Sequence, residues 1–344
     1  MPKLRSAPTL NDVAKMAGVS TATVSRCLND PERVVDSTRT RVMSAVEALG
    51  YTPNFAARIM AAKRSFTIGA IIPTMDNAIF ARGLQAFQEE IHKRGYTLLV
   101  SSSAYKPEVE KEQIKTLVAR GADGLLLIGH DRDDRIYDYL DRQKVPALVA
   151  WSFMPGKRCP SIGFDNRMAM HALTQQVLAL GHTRAGVVSG ITVGNDRARL
   201  RIEGIRDAFR QQGLQKDALS IVETPYGIEN GAEAFKELMS VKHPPTVVLC
   251  GNDVLAVGAT RQALNVGMRI PQDVSITGFD DLELAQIVQP GLTTVHVPHR
   301  EMGRKAAIEL IDMIENGTPG QSHRLETQIV QRNSLGQASG FPQR

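Results

Sequence analysis

The sequence predicts a small all-α head carrying a helix-turn-helix, followed by an α/β body of two doubly wound parallel-sheet lobes. Three observations carry this expectation. Residues 9–28, TLNDVAKMAGVSTATVSRCL, put two short helical periods on either side of a tight Gly18-Val19 turn. From residue 66 onward, short apolar runs alternate with helical patterns in two successive series, and each series calls for its own sheet. The chain has 344 residues, too many for one ordinary core.

In the head, Thr9 is placed to cap the first helix, with Asp12 near the positive end of its dipole. Leu10, Val13, Ala14 and Ala17 follow at helical spacing and give one buried face. Gly18 can take the left-handed conformation that ends a helix, and Ser20 caps the second helix. At 100° per residue, Thr21, Ala22, Ser25, Arg26 and Asn29 fall on one arc of that helix. Val24 and Cys27 point the other way, into the core. The second helix of a helix-turn-helix enters the major groove of DNA. Thr21 and Ala22 are short enough to let it approach, or they are ordinary helix surface. Arg26 is a reader of guanine or a phosphate clamp. A third helix is expected from Ser37 through Gly50, with Val42, Ala45, Val46 and Leu49 on its apolar face. Pro53 then suits the first turn of a new helix. Residues 54–62 would make about two turns, too few to be stable unless docked.

In the body, TIGAIIP, YTLLVSSS, GLLLIG and ALVAW read as buried parallel strands, with helices over 79–93 and 108–120. AGVVSG, LSIVET, TVVLCGN and VSITGF form the second series, with helices near 167–180, 197–212, 229–240 and 253–266. Ligands of such sheets bind at the carboxyl ends of the strands. The cleft between two facing lobes is therefore the expected site.

An apolar fraction of 42% and a charged fraction of 22% are those of a globular chain. No run approaches the roughly 18 apolar residues of a membrane span, and the N-terminus has no apolar signal core, so a cytoplasmic location with no membrane partner is expected. The three cysteines, Cys27, Cys159 and Cys250, lack metal-ligand spacing and read as reduced. Residues 1–64 hold ten Lys or Arg against five Asp or Glu, so the whole net charge of +5 resides there. A basic head on a neutral body suits phosphate contact by the head. No cofactor, metal or catalytic residue is expected. The glycine fingerprint of dinucleotide binding is absent after the first strand, and the glycines of GVVSGITVG have the wrong spacing. The two rival readings are a sugar-binding protein without a DNA role and an α/β NAD(P)-dependent oxidoreductase.

TLNDVAKMAGVSTATVSRCLN and VEALGYTPNFAAR, together with SIGFDN, LALGHTRAGVVSG, RARLRIEGIRDAF, GNDVLAVGA, VSITGFDDLELA and PGLTTVHVP, resemble the lactose/galactose repressor (LacI/GalR) family over essentially the whole chain. YKPEVEKEQ and CPSIGFDN look most like its gluconate-repressor branch. The resemblance implies a transcriptional regulator, expected to be a repressor, with a body like a periplasmic sugar-binding protein. A small sugar or sugar-acid effector bound between the lobes would control its operator affinity. It puts recognition at Thr21, Ala22 and Arg26, and hinge-helix contacts in the minor groove at Asn54, Ala57, Arg58 and Met60. The family usually has Leu where Met60 stands; both are apolar wedges able to kink DNA.

In the body the resemblance aligns Arg201, Asn252 and Asp280 with polar effector contacts, Phe164 with an aromatic wall, and Ile79 and Phe80 with a lip after the first strand. A carboxylate, an amide and a guanidinium can hold adjacent hydroxyls. Alternatively, Asp280 caps the next helix, Asn252 closes a turn, and Arg201 lies on a solvated face. Trp151 is a stacking platform or core. His130, His171, His296 and His299 read as surface or satisfied residues. The tail lacks heptad leucines, so a homodimer on a palindromic operator is expected. The expected organisation is a DNA-binding domain (1–53), a hinge helix and linker (54–65), an effector-binding and dimerisation domain (66–335) and a tail (336–344). Lobe 1 comprises about 66–163 plus 293–322, and lobe 2 about 164–290 plus 323–335.

Overall fold

A computed structural model of the protein describes residues 7–52, 64–76 and 78–338, apart from the side chains of Asn29 and Lys216. The chain divides into two compact units between Ser65 and Phe66. The expected hinge positions Asn54, Ala57, Arg58 and Met60 lie outside the described residues.

The first unit contains α1 (Leu10–Ala17), α2 (Thr21–Asn29) and α3 (Asp36–Leu49). A full capping box starts α1: the Asp12 N–H donates to Thr9 Oγ1 at 3.3 Å, and the Thr9 N–H donates to Asp12 Oδ2 at 2.9 Å. Gly18 ends the helix with φ 64°, a conformation that costs glycine little. Ser20 Oγ accepts from the Thr23 N–H at 3.1 Å and starts α2. Helix α3 begins one residue before the expected Ser37, behind a Val35 that makes no side-chain cap. Val13, Ala14, Ala17, Val24, Cys27, Val42, Ala45 and Tyr51 close a small core.

The second unit opens with β1 (Thr67–Ile72), α4 (Ala78–His92), β2 (Thr97–Ser102), α5 (Pro107–Ala119), β3 (Gly124–Ile128), α6 (Asp134–Gln143), β4 (Ala147–Ala150) and β5 (Ser161–Gly163). It continues with α7 (Asn166–Ala179), β6 (Ala185–Gly190), α8 (Asp196–Gln211), β7 (Leu219–Thr224), α9 (Ile228–Met239), β8 (Val247–Cys250), α10 (Asp253–Asn265), β9 (Ser275–Thr277) and α11 (Glu283–Ile287). It ends with β10 (Thr294–His296), α12 (His299–Asn316), β11 (His323–Arg324) and β12 (Gln328–Val330). The first sheet has the order β11-β5-β4-β3-β1-β2 and the second β7-β6-β8-β9, and every pairing within both is parallel. The strand order reverses at β1 in one sheet and at β6 in the other, which creates a crevice at the carboxyl end of each.

The returning chain runs differently from the expected lobe boundaries. His323–Arg324 adds to the first sheet by pairing with Ile162–Gly163, although 323–335 was assigned to the second lobe. Residues 293–296, assigned to the first lobe, lie beside the second sheet through bridges from Thr293 to Thr277 and from His296 to Asp280, and β10 pairs with β12. Such strands of two or three residues carry too little periodicity to place from sequence. Helix α6, which the sequence reading passed over, is fixed by Asp133 capping its first turn and by Ile136, Tyr137 and Leu140 buried on one face.

Glycines let the helix pairs that back the sheets touch through their backbones. A Cβ on Gly303 of α12 would lie 1.9 Å from the Gly83 carbonyl of α4. One on Gly204 of α8 would lie 2.2 Å from the Arg167 carbonyl of α7, and one on Gly258 of α10 would lie 2.0 Å from the Ile228 carbonyl of α9.

Candidate functional site

In the head, the arc expected to read DNA is available. Thr21, Ala22 and Arg26 are exposed and Ser25 is half-buried, while Val24 and Cys27 are 0% and 3% exposed. The Arg26 guanidinium has no partner among the described residues. The last position of the arc, Asn29, belongs to α2, but its side chain lies outside the described atoms.

In the body, every expected polar contact is buried, two of them just past strand ends and one on a helix. Arg201 on α8 is 5% exposed, and Asn252 after β8 and Asp280 after β9 are each 1% exposed. Arg201 Nε donates to Asn166 Oδ1 at 2.9 Å, and its Nη1 donates to the Gly251 carbonyl. Its Nη2 lies 3.7 Å from Asp280 Oδ1, and its guanidinium sits 3.7 Å above the Phe279 ring centroid. Phe164 packs against Phe279 with centroids 5.9 Å apart. The solvated-face reading of Arg201 is thereby excluded.

Asp280 does not cap the next helix: Leu282 occupies the cap of α11, with no side-chain bond. Both Asp280 carboxylate oxygens lack a hydrogen-bond donor among the described residues. Burial pushes the group up to about 7, against the pull of Arg201 and Arg197. Its backbone is held at φ 104°, a strained value for a residue with a side chain. Neighbouring Asp253 is also raised to about 7, by burial and by the charge of Asp280, although Thr294 Oγ1 and the Leu282 N–H donate to it at 2.6 and 2.7 Å. Asn252 caps a helix rather than closing a turn. Its Oδ1 accepts from the Leu255 N–H at 2.9 Å and caps α10, while its Nδ2 is buried without an acceptor among the described residues.

The apolar candidates are arranged otherwise. Ile79 and Phe80 are buried on α4 rather than forming a lip, and Phe80 meets Trp151 edge-on at 5.4 Å. Trp151 is core: its indole N–H donates to His299 Nδ1 at 3.2 Å, and its ring lies where a Gly83 Cβ would be. That bond meets only Nδ1 of His299, whose Nε2 is buried without a partner among the described residues, and burial lowers the imidazole to about 3, so it is neutral. His171 and His296 are bonded at the surface to Gln211 and Asp281. His130 is buried rather than exposed.

An open cavity of about 510 Å³ lies outside this buried cluster, at the carboxyl ends of β1, β2, β6 and β7. Tyr105 of one lobe and Tyr226 of the other face each other across it at 5.9 Å, with Ile191, Val193 and Val254 among its walls. Burial raises the Tyr105 phenol, with the facing Tyr226 adding to the rise and Arg197 and Arg201 opposing it. Sequence reading missed both tyrosines. The available signal was position: each falls within three residues of the end of an expected strand.

Residues 9–54 match the family model described as bacterial regulatory proteins, lacI family, and residues 174–335 match the periplasmic binding protein-like domain. The HTH-type transcriptional repressor CytR of Escherichia coli (strain K12) is 32% identical over 333 residues, covering 96% of this chain and 97% of its own. The structure of the Lac repressor dimer bound to operator and the anti-inducer ONPF superposes with a TM-score of 0.86 at 26% identity, covering 96% of this chain and all of that one. The CelR–cellobiose complex gives 0.69 at 27% identity, with 95% and 99% covered. With a reading helix in its head, two parallel-sheet lobes around a ligand-sized cleft and near full-length similarity to a known repressor, the chain belongs to the LacI family and is a DNA-binding transcriptional regulator with a ligand-binding effector domain.

Proposed function

We propose that this regulator is a homodimeric repressor, not an enzyme, acting in the cytoplasm, and that a sugar or sugar acid held between its lobes sets its affinity for a palindromic operator. One observation carries the ligand reading: the buried Asp280 carboxylate, without donors among the described residues and 3.7 Å from Arg201, suits the hydroxyl groups of a ligand. Asn252 Nδ2 offers the complementary donor. The mainly apolar cavity outside this cluster suits the less polar face of such a ligand. Thr21, Ala22, Ser25, Arg26 and Asn29 read the major groove, and Asn54, Ala57, Arg58 and Met60 enter the minor groove, with residues 54–65 as the hinge between the domains. The dimer reading is supported by the edge strand β2, where Leu99 and Val100 are both 38% exposed. Relatives that are named repressors support binding rather than catalysis. Among the described residues, no helix is long and apolar enough to cross a membrane.

The test is a thermal-shift screen of sugars, sugar acids and nucleosides, followed by gel shifts with the hit. A ligand at 100 times its Kd stabilises by about 2.7 kcal/mol, which is readily seen. A hit that changes operator binding supports the reading, with loss of binding marking an inducer and gain marking a corepressor. A ligand response retained in Asp280→Ala overturns the assignment of the site.

A further inference from the structure

Gly129, His130 and Asp131 leave the carboxyl end of β3 and meet the first turns of α8, a helix of the other lobe. The His130 N–H donates to Asp196 Oδ2 at 2.8 Å. Arg199 grips Asp131 with two parallel bonds of 2.6 and 2.8 Å. Asp196 Oδ1 in turn accepts from the Arg197 N–H and from Arg197 Nη1, both at 3.0 Å. The two segments approach so closely that a Cβ on Gly129 would fall 2.1 Å from Arg197 Nη1 and 2.2 Å from Asp196 Oδ1. On its own side the turn is rigid, because the buried Arg132 donates to the Ile128 and Gly129 carbonyls and pairs with Glu110 at 2.9 Å.

The same stretch of α8 serves the cleft. Asn195, its cap, lines the cavity and donates to Tyr226 Oη at 3.3 Å. Arg201, one turn beyond Arg197, reaches Asn166, Gly251 and Asp280. We propose that Gly129–Asp131 and Asp196–Arg199 form an interlobe latch that holds Arg201 in place opposite Asp280, so that Asp131 and Arg199 control lobe closure and ligand affinity although neither lines the 510 Å³ cavity. The ligand part of this rests on the function proposed above; the closure part does not.

An ion pair as exposed as this one, with side chains 43% and 26% accessible, adds little to folding stability. A small energy is nonetheless enough to bias an open–closed equilibrium, and the apparent Kd rises as the closed fraction falls. The test uses the full chain without ligand, spin-labelled at the exposed positions Arg142→Cys and Gln212→Cys, one on each lobe. Arg199→Ala is expected to broaden the interlabel distance and shift it to longer values. The charge swap Asp131→Arg with Arg199→Asp is expected to restore it. An unchanged distance in Arg199→Ala, or a swap as broad as the single variants, overturns the latch. In a second arm D-gluconate is titrated, and Arg199→Ala is expected to bind it roughly fivefold more weakly. Equal affinity overturns the link from latch to ligand. Failure of D-gluconate to bind the unaltered chain counts against the sugar-acid reading alone, because the label distances decide the latch without it.

Discussion

The reading helix of the head and the ligand cluster of the body solve opposite problems. On α2 the candidate side chains Thr21, Ala22 and Arg26 are exposed, and the fold uses only the far face, Val24 and Cys27. In the body, Arg201, Asn252 and Asp280 are at most 5% exposed, and the fold packs around the same side chains that are proposed to hold the ligand. A reader on a solvated face can change without disturbing its domain. A buried polar cluster cannot, since every group removed leaves a partner unsatisfied.

The largest effect expected from this contrast is at Arg201. Arg201→Ala strips Asn166, the Gly251 carbonyl and Asp280 of their cation, and should destabilise the body by about 3–5 kcal/mol in urea unfolding. The loss should be smaller at pH 5 than at pH 8, because Asp280 can then take up a proton. A variant as stable as the parent at both pH values would break the contrast.

Next is Arg26→Ala, which should leave the melting of the head unchanged and weaken binding to the specific operator by about 1–3 kcal/mol in gel shifts. Equal weakening on unrelated DNA would make Arg26 a phosphate clamp.

A third test uses pH. Asp280 and Asp253, both near 7 when folded, keep protons that the unfolded chain has released above pH 4. Stability from these groups is therefore full in acid and is lost as pH rises through about 7. Asp280→Asn removes one of the two, so its stability–pH slope between pH 4 and 7 should be shallower by up to about 1.4 kcal/mol per pH unit. Parallel slopes in calorimetry would show that Asp280 is ionised throughout.

The smallest effect is Thr9→Ala, which opens the capping box of α1 and should cost the head about 1 kcal/mol, read as an earlier loss of helical circular dichroism. The body transition should not move.

The same contrast explains what could be read from the sequence. The α1 cap, the Gly18 turn and the buried face of α2 are local patterns, so the head was legible almost residue by residue. The eight main strands were legible as apolar runs, and Arg201, Asn252, Asp280 and Phe164 were reached through family resemblance and do gather at one place. Trp151, Ile79 and Phe80 were not separable from core by sequence, because an aromatic that faces a ligand and one that faces another aromatic have the same neighbours along the chain. Tyr105 and Tyr226 face each other only because two lobes meet, a relation with no local pattern. The lobe crossings at β10 and β11 depend on two or three hydrogen-bonded residues each, too few to leave a period.

The glycine contacts between backing helices have a wider consequence. Where Gly303 rests on Gly83, or Gly258 on the Ile228 carbonyl, the helices cannot slide, so each sheet rides on a frame that does not adapt to what occupies the cleft. Apart from Val254 at the start of α10, the residues around the cavity lie instead on the short segments beyond the strands, outside that frame. Those segments can be exchanged piecemeal while the frame stays fixed. That makes this chain a chassis whose chemical preference can drift under selection without its having to invent a new way to fold.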